Sequence, residues 1–142
     1  MIVVDTCILI DIADDDPAFA GASIECVTRY LPEGVLLSPV SYVELAPVFD
    51  GSTQLLDEFL AGVGIDASEV FTAIDRVTAF RAWSRHITEK RAARARRRPV
   101  ADALIGALAI RHDGIITRNG ADFRSFYPNL RIVDPTNDIE EH

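Results

Sequence analysis

Four apolar residues, Met1-Ile2-Val3-Val4, lead straight into a lone carboxylate, Asp5, and another apolar run follows at once. A β-branched run without polar alternation reads as a strand covered on both faces, the kind found inside a parallel sheet. A charge set between two such runs is costly to bury without a partner. These first residues therefore call for an α/β fold with an acidic group at the carboxyl end of its first strand.

The rest of the chain extends that pattern. Thr6 to Ile12 reads as a helix, the Asp14-Asp15-Asp16-Pro17 loop interrupts it, and Ala18 to Leu31 carries Phe19, Ala22, Cys26 and Tyr30 at helical spacing. Val35 to Leu37 reads as a second buried strand. Ser38-Pro39 then opens a helix with serine as cap and proline in the first helical position. Glu44 falls in the second turn of that helix, which Pro47 kinks or ends early. Gln54 to Leu60 is a short amphipathic helix and Val63 to Ile65 a weaker strand. A helix from about Ser68 through His86 is expected to bury Val70, Ile74, Val77, Phe80 and Trp83 on one face. A further helical stretch holds a basic run, and Pro99 resets the chain into Val100 to Ile110. Gly114 leads to a strand at Ile115 to Thr117, and Leu130 to Val133 is the last strand. Strands alternating with helices predict a three-layer α/β/α sandwich around a short parallel sheet of four to five strands. Residues 1–135 are expected to form one domain, with 136–142 a loose acidic tail.

At 142 residues the chain is long enough to bury a core of its own. It has no stretch approaching the roughly 18 apolar residues of a membrane span, and its start lacks the basic region of a signal peptide. No membrane association is expected, and the reading is cytoplasmic. Cys7 and Cys26 have no CxxC spacing and no histidine nearby in sequence, which argues against a zinc site or disulfide framework. His86, His112 and His142 are isolated and are expected to be structural or surface residues.

The net charge of −8 conceals an asymmetry. Residues 1–75 carry fourteen acids and one base, Arg29, whereas residues 76–98 carry nine bases and one acid, Glu89. Such a segment suits a phosphate backbone, and an acidic remainder would direct nucleic acid toward it. The plainer reading of a charge run is a solvated helix face.

Ligands of open parallel sheets bind at the carboxyl ends of strands. Asp5 closes the first strand, Glu44 follows the second, and Asn119 and Asp122 follow the strand ending at Thr117. Asp102 lies in the first turn of the helix opened by Pro99. Each has an ordinary alternative: Asp102 is favoured there by the helix dipole alone, Glu44 by a helix surface, and Asp122 by a turn.

With these residues in view, the chain resembles the PIN domain, and within it the VapC-like toxins of toxin–antitoxin pairs. The resemblance covers nearly the whole chain. It is carried by Ile-Val-Val-Asp-Thr at 2–6, Ser-Pro-Val-Ser-Tyr-Val-Glu-Leu at 38–45, Ala-Asp-Ala-Leu-Ile-Gly-Ala-Leu-Ala at 101–109 and Ile-Thr-Arg-Asn-Gly-Ala-Asp-Phe at 116–123. It implies that Asp5, Glu44 and Asp102 hold Mg²⁺ or Mn²⁺, with Thr6 and Thr117 assisting. Many relatives have a fourth aspartate where this chain has Asn119, and Asp122 is near enough in sequence to substitute or assist. The resemblance further implies a homodimer silenced by a small VapB-like antitoxin protein.

Acids 4 Å apart at an effective dielectric near 20 repel by roughly 4 kcal/mol per pair, which a cation relieves. Oxygen ligands suit Mg²⁺ or Mn²⁺, and a bound ion would activate water for attack on an RNA phosphodiester. Lys90, Arg91, Arg94, Arg96, Arg97 and Arg98, just before Asp102, are the candidate RNA-binding residues. Two other folds with an aspartate after the first strand fit less well. Haloacid dehalogenase-type phosphatases need a second aspartate where Cys7 stands, and receiver domains want a further acidic pair near the N-terminus and a late lysine, whereas the sole lysine is Lys90. A catalytically weak PIN-fold module that binds RNA or protein is kept open by Asn119.

Overall fold

The computed structural model describes residues 1–93 and 100–137, the side chains of 89–93 excepted. Four short parallel strands form one sheet: β1 (Ile2–Val4), β2 (Val35–Leu36), β3 (Ile115–Ile116) and β4 (Ile132–Val133), in the order β2-β1-β3-β4. Val3 pairs with Leu36 on one side and Ile115 on the other, and Ile116 pairs with Val133. Helices α1 (Thr6–Ala13), α2 (Ala20–Tyr30), α3 (Pro39–Glu44) and α4 (Thr53–Val63) precede α5 (Ala73–Ala93), α6 (Val100–Arg111) and α7 (Gly120–Arg124).

Alternation along the strands divides the core in two. Ile2, Val4, Val35 and Ile116 pack with Ile8 and Leu9 of α1, Cys26 and Val27 of α2, and Leu56 and Leu60 of α4. Val3, Leu36 and Ile115 face the other way, onto Ala79 and Ala82 of α5, Ala103, Ile105 and Leu108 of α6, and Phe123 of α7. Both faces of the sheet are covered, as the unbroken apolar strands require. No helix among the described residues is long and apolar enough to cross a membrane.

Three expectations differ, the first being that the helix expected to end at His86 runs on unbroken to Ala93 and takes in the start of the basic run. Val63 ends α4 instead of opening a strand, because Gly64 takes a left-handed conformation (φ 96°) and the Leu60 carbonyl accepts from both Gly64 and Ile65. The extended contact there is a single bridge between Leu36 and Asp66. The helix expected from Ser68 begins at Ala73, and it turns a different face inward. Val70, Ile74 and Phe80 are 66%, 71% and 74% exposed, and Val77 is exposed as well. Asp75, Ala79, Ala82 and His86 are buried instead.

The cause lies at the helix start. Thr72 Oγ1 accepts from the Asp75 N–H (3.2 Å) while Asp75 Oδ2 accepts from the Thr72 N–H (2.9 Å), a reciprocal cap. Asp75 also receives the Arg111 guanidinium through Nε (2.8 Å) and Nη2 (3.0 Å), which ties the start of α5 to the end of α6. With that face turned inward, small residues meet small residues: Ala79 and Ala82 lie in the same cluster as Ala103 and Ala107. Trp83 is half-buried against this cluster, its ring stacked 6.2 Å from Phe126.

Candidate functional site

The strand order itself selects the site. From β1 the chain moves to β2 on one side and later to β3 on the other, so the crevice beyond β1 and β3 is the topological switch point of the sheet. Asp5 and Thr117 are the residues that leave those two strands.

Asp5 is the N-cap of α1, with its Oδ1 accepting from the Thr6 N–H at 2.8 Å. Its Oδ2 accepts from the Thr117 hydroxyl at 2.7 Å and from the Cys7 thiol at 3.3 Å. The Thr117 oxygen in turn accepts from the Asn119 N–H at 2.9 Å. Asp5 is 6% exposed and Thr117 wholly buried. Burial is the largest influence on the Asp5 carboxyl and raises it above the ordinary range. The bonds from Thr117, Cys7 and Thr6 oppose the shift, and the charge of Glu44 adds to it. Cys7 is likewise pushed up to about 12, by burial first and then by the Asp5 charge, so it stays a thiol and a donor.

Glu44 reaches the same place from the second strand. Ser38 caps α3 by accepting from the Ser41 N–H at 3.0 Å, with Pro39 in the first turn. Thr6 Oγ1 lies 2.8 Å from Glu44 Oε1 and 2.9 Å from Ser41 Oγ, which lies 3.2 Å from Ser38 Oγ. A hydroxyl has one hydrogen, and an ionised carboxylate can only accept. Thr6 therefore gives its hydrogen to Glu44 and takes one from Ser41. One residue thus joins both carboxylates, Asp5 through its backbone and Glu44 through its side chain.

Asp102 stands half-buried in the first turn of α6, a helix that packs against both α3 and β1. Asp122 is half-buried in the first turn of α7, where its N–H donates to the Asn119 carbonyl. Asn119 is the cap position of α7 but makes no side-chain cap bond there. Among the described residues, no three His, Cys, Asp or Glu side chains gather into a group able to hold a metal ion. Thr6 links Asp5 and Glu44. Their oxygen-only donor set suits a hard cation of the Mg²⁺ kind, which commonly binds through one or two protein carboxylates plus waters and substrate phosphate.

Of the expected RNA-binding residues, Arg94, Arg96, Arg97 and Arg98 lie outside the described residues, as do the side chains of Lys90 and Arg91. Three contributors were not anticipated. Ser41 had a signal, its spacing of three from Glu44 on one helix. The bond from Cys7 to Asp5 had none, nor did the pairing of Arg118 with both oxygens of buried Asp11 at 2.7 and 3.0 Å. His86 is buried with its ring 4.5 Å from that of Phe126, as a structural histidine would be.

The PIN domain family model matches residues 2–127, a span that takes in the acidic pair and all four motifs. The chain belongs to the PIN-domain family. PIN domains are generally nucleases, and PIN nucleases typically use divalent metals. The fold is similar to that of a chain in the crystal structure of FitAcB from Neisseria gonorrhoeae, with a TM-score of 0.69 and 19% identity over 96% of this chain and 99% of that one. It is also similar to a chain of FitAB bound to an IR36 DNA fragment, with a TM-score of 0.65 and 18% identity over 95% of each. No curated protein matches the sequence.

Proposed function

We propose that this PIN domain is a Mg²⁺- or Mn²⁺-dependent endoribonuclease that hydrolyses RNA phosphodiester bonds in the cytoplasm, as the toxin of a VapBC-type pair. The observation that carries the reading is the joining of Asp5 and Glu44 through Thr6 at the switch point of the sheet. Asp5 and Glu44 would hold the ion, with Asp102 from the neighbouring helix and Asn119 or Asp122 completing the set. A bound ion would supply charge neutralisation and an acidified water. The chain's own work is positional. Thr6, Thr117 and Cys7 fix both oxygens of Asp5, and the serine relay fixes Thr6, so the acidic oxygens need little reorganisation when a phosphate arrives.

A protein partner of the VapB kind and a homodimer belong to this reading. The architecture shared with chains of FitAcB and FitAB supports it at the level of fold. Purified protein should cleave RNA with Mn²⁺ or Mg²⁺, stop with EDTA, and stop with Asp5→Asn. Sequencing the cut ends of cellular RNA after pulse expression of wild type and Asp5→Asn would then identify the target. Absence of metal-dependent cleavage would overturn the nuclease reading and leave a module that binds without cutting.

A further inference from the structure

Next to Thr117 a second feature opens that the acidic pair does not use. A groove of about 500 Å³ runs between α7, edge strand β4 and the end of α2, and among the described residues Arg118, Arg124 and Arg131 line it with one acid, Asp134. The wall is built rather than incidental. Arg118 is held by both oxygens of Asp11 and lies 3.8 Å over the ring of Phe19. Arg131 lies 5.7 Å over the ring of Tyr30, which also lines the groove, and donates to the Tyr30 hydroxyl at 3.4 Å. Gly120 lets α7 sit close on β4, since a Cβ there would come within 2.8 Å of Ile132 Cγ2. The close approach brings Arg124, at the end of α7, and Arg131, just before β4, onto one groove.

The charges are not equivalent. Arg118 is neutralised by Asp11, and Asp134 turns Oδ1 back onto the N–H and hydroxyl of Thr136. Arg124 and Arg131 are exposed and supply the cationic character. In a chain of net charge −8, a cationic groove one residue from the group that holds Asp5 offers a polyanion an approach to the acids with less repulsion than the acidic first half of the chain. We infer that this groove binds the phosphodiester backbone of the substrate strand beside the scissile bond, with Arg124 and Arg131 as its phosphate contacts. The inference rests on the nuclease reading above and adds to it the path of the substrate.

The test is anisotropy of a fluorescein-labelled single-stranded oligoribonucleotide of mixed sequence, about 12 nucleotides long, bound to full-length Asp5→Asn protein across a salt series. Adding Arg124→Ala and Arg131→Ala should weaken binding about tenfold or more. It should also reduce the slope of log affinity against log salt by about 1.4, two single-strand contacts at roughly 0.7 each. Arg124→Lys with Arg131→Lys should restore much of the slope. Asp134→Asn keeps the oxygen that Thr136 needs, removes the carboxylate charge from the groove wall, and should tighten binding. If wild type cleaves RNA but the alanine pair leaves affinity and slope unchanged, the groove is off the path and the inference falls while the nuclease stands. If the alanine pair releases polyglutamate but not RNA, the groove takes an acidic protein segment and the inference falls likewise. Wild type that neither binds nor cleaves RNA would overturn both.

Discussion

Thr117 donates its hydroxyl to Asp5 at 2.7 Å across 112 residues of sequence, with both side chains buried. The bond spans the two central strands at their carboxyl ends and anchors the acid on which the site depends. Removing it in Thr117→Val, which keeps the shape, should lower metal affinity and cleavage by roughly 10- to 100-fold, the usual loss when a group orienting a ligand is deleted. Calorimetric titration with Mn²⁺ measures the first effect and RNA cleavage the second. Thr117→Ser should stay near wild type.

Asp5 itself should trade stability for function. Its carboxyl is raised in the folded state, chiefly by burial, so the ionised form is disfavoured there relative to the unfolded chain. The cost is fully present above the folded value. It fades as pH falls through that value toward the unfolded one, about 3.9. In EDTA, Asp5→Asn should therefore melt at a higher temperature than wild type near neutral pH, with the gap closing as the solution is acidified. Its cleavage activity should be lost at every pH. Thermal denaturation of both proteins over a pH series is the measurement.

Thr6 joins the two acids by different atoms, so its side chain and backbone roles separate cleanly. Thr6→Val keeps the N–H on Asp5 but removes the hydroxyl from Glu44, and should reduce cleavage by roughly 10-fold or more, whereas Thr6→Ser should retain it. Equal loss in both variants would mean that the Glu44 contact contributes nothing. The folded state is checked by circular dichroism in each case.

The part of the fold that could be read from sequence is the part where burial is symmetrical. Ile2–Val4, Val35–Leu36 and Ile115–Ile116 are covered on both faces, leaving runs of apolar residues that admit few other readings. Ser38-Pro39 marked a helix start because cap and first-turn proline chemistry are local. The buried face of α5 is not legible in the sequence because apolar spacing at Val70, Ile74, Val77 and Phe80 masks Thr72 and Asp75, whose reciprocal cap and long-range partner Arg111 determine which side turns inward. Small residues can bury a helix by allowing close approach, and an alanine pattern gives a weak hydrophobic signal. In the site, Asp5 was conspicuous as a charge between apolar runs. The link through Thr6 to Glu44, and the clamp of Arg118 on Asp11, depend on residues brought together from 38 and 107 positions apart, which no local pattern encodes.

The two faces of α5 should respond differently to substitution. Ile74→Glu and Phe80→Glu place charges on residues 71% and 74% exposed and should each change stability by no more than about 0.5 kcal/mol. Ala82→Leu, on the buried face, should cost about 1–3 kcal/mol by overpacking against α6. Urea denaturation at neutral pH distinguishes the two faces, and a reversed ranking would restore the amphipathic reading of the sequence.

Asp75 carries the opposite sign of pH dependence from Asp5. Burial pushes its carboxyl up, but the Arg111 guanidinium and the Thr72 N–H outweigh this and hold it below the ordinary aspartate range. Its stabilisation is therefore complete above about pH 4 and is lost as pH falls through the lowered folded value. Asp75→Asn should destabilise the protein by roughly 1.5–3 kcal/mol at neutral pH, because it removes the charged acceptor of Arg111, which keeps Glu69 at 2.9 Å. The difference between variant and wild type should narrow below pH of about 4, as read from acid-dependent melting curves.

Gly106 offers a case where local propensity and packing predict opposite signs. In the middle of a helix, glycine to alanine should gain about 1 kcal/mol from propensity. Here the Tyr127 ring lies where the methyl would go: a Cβ on residue 106 would stand 2.4 Å from Tyr127 Cε2 and 2.6 Å from Cδ2. The ring cannot retreat freely, since its hydroxyl donates to the Ala103 carbonyl at 2.5 Å and the residue is 6% exposed within the second core cluster. Overpacking of this kind costs about 1–3 kcal/mol, so Gly106→Ala should be net destabilising. Tyr127→Leu should relieve the clash, making Gly106→Ala less harmful in that background than in wild type. A double-mutant cycle by urea denaturation reads the coupling directly, and strict additivity would show that the ring is not what keeps position 106 a glycine.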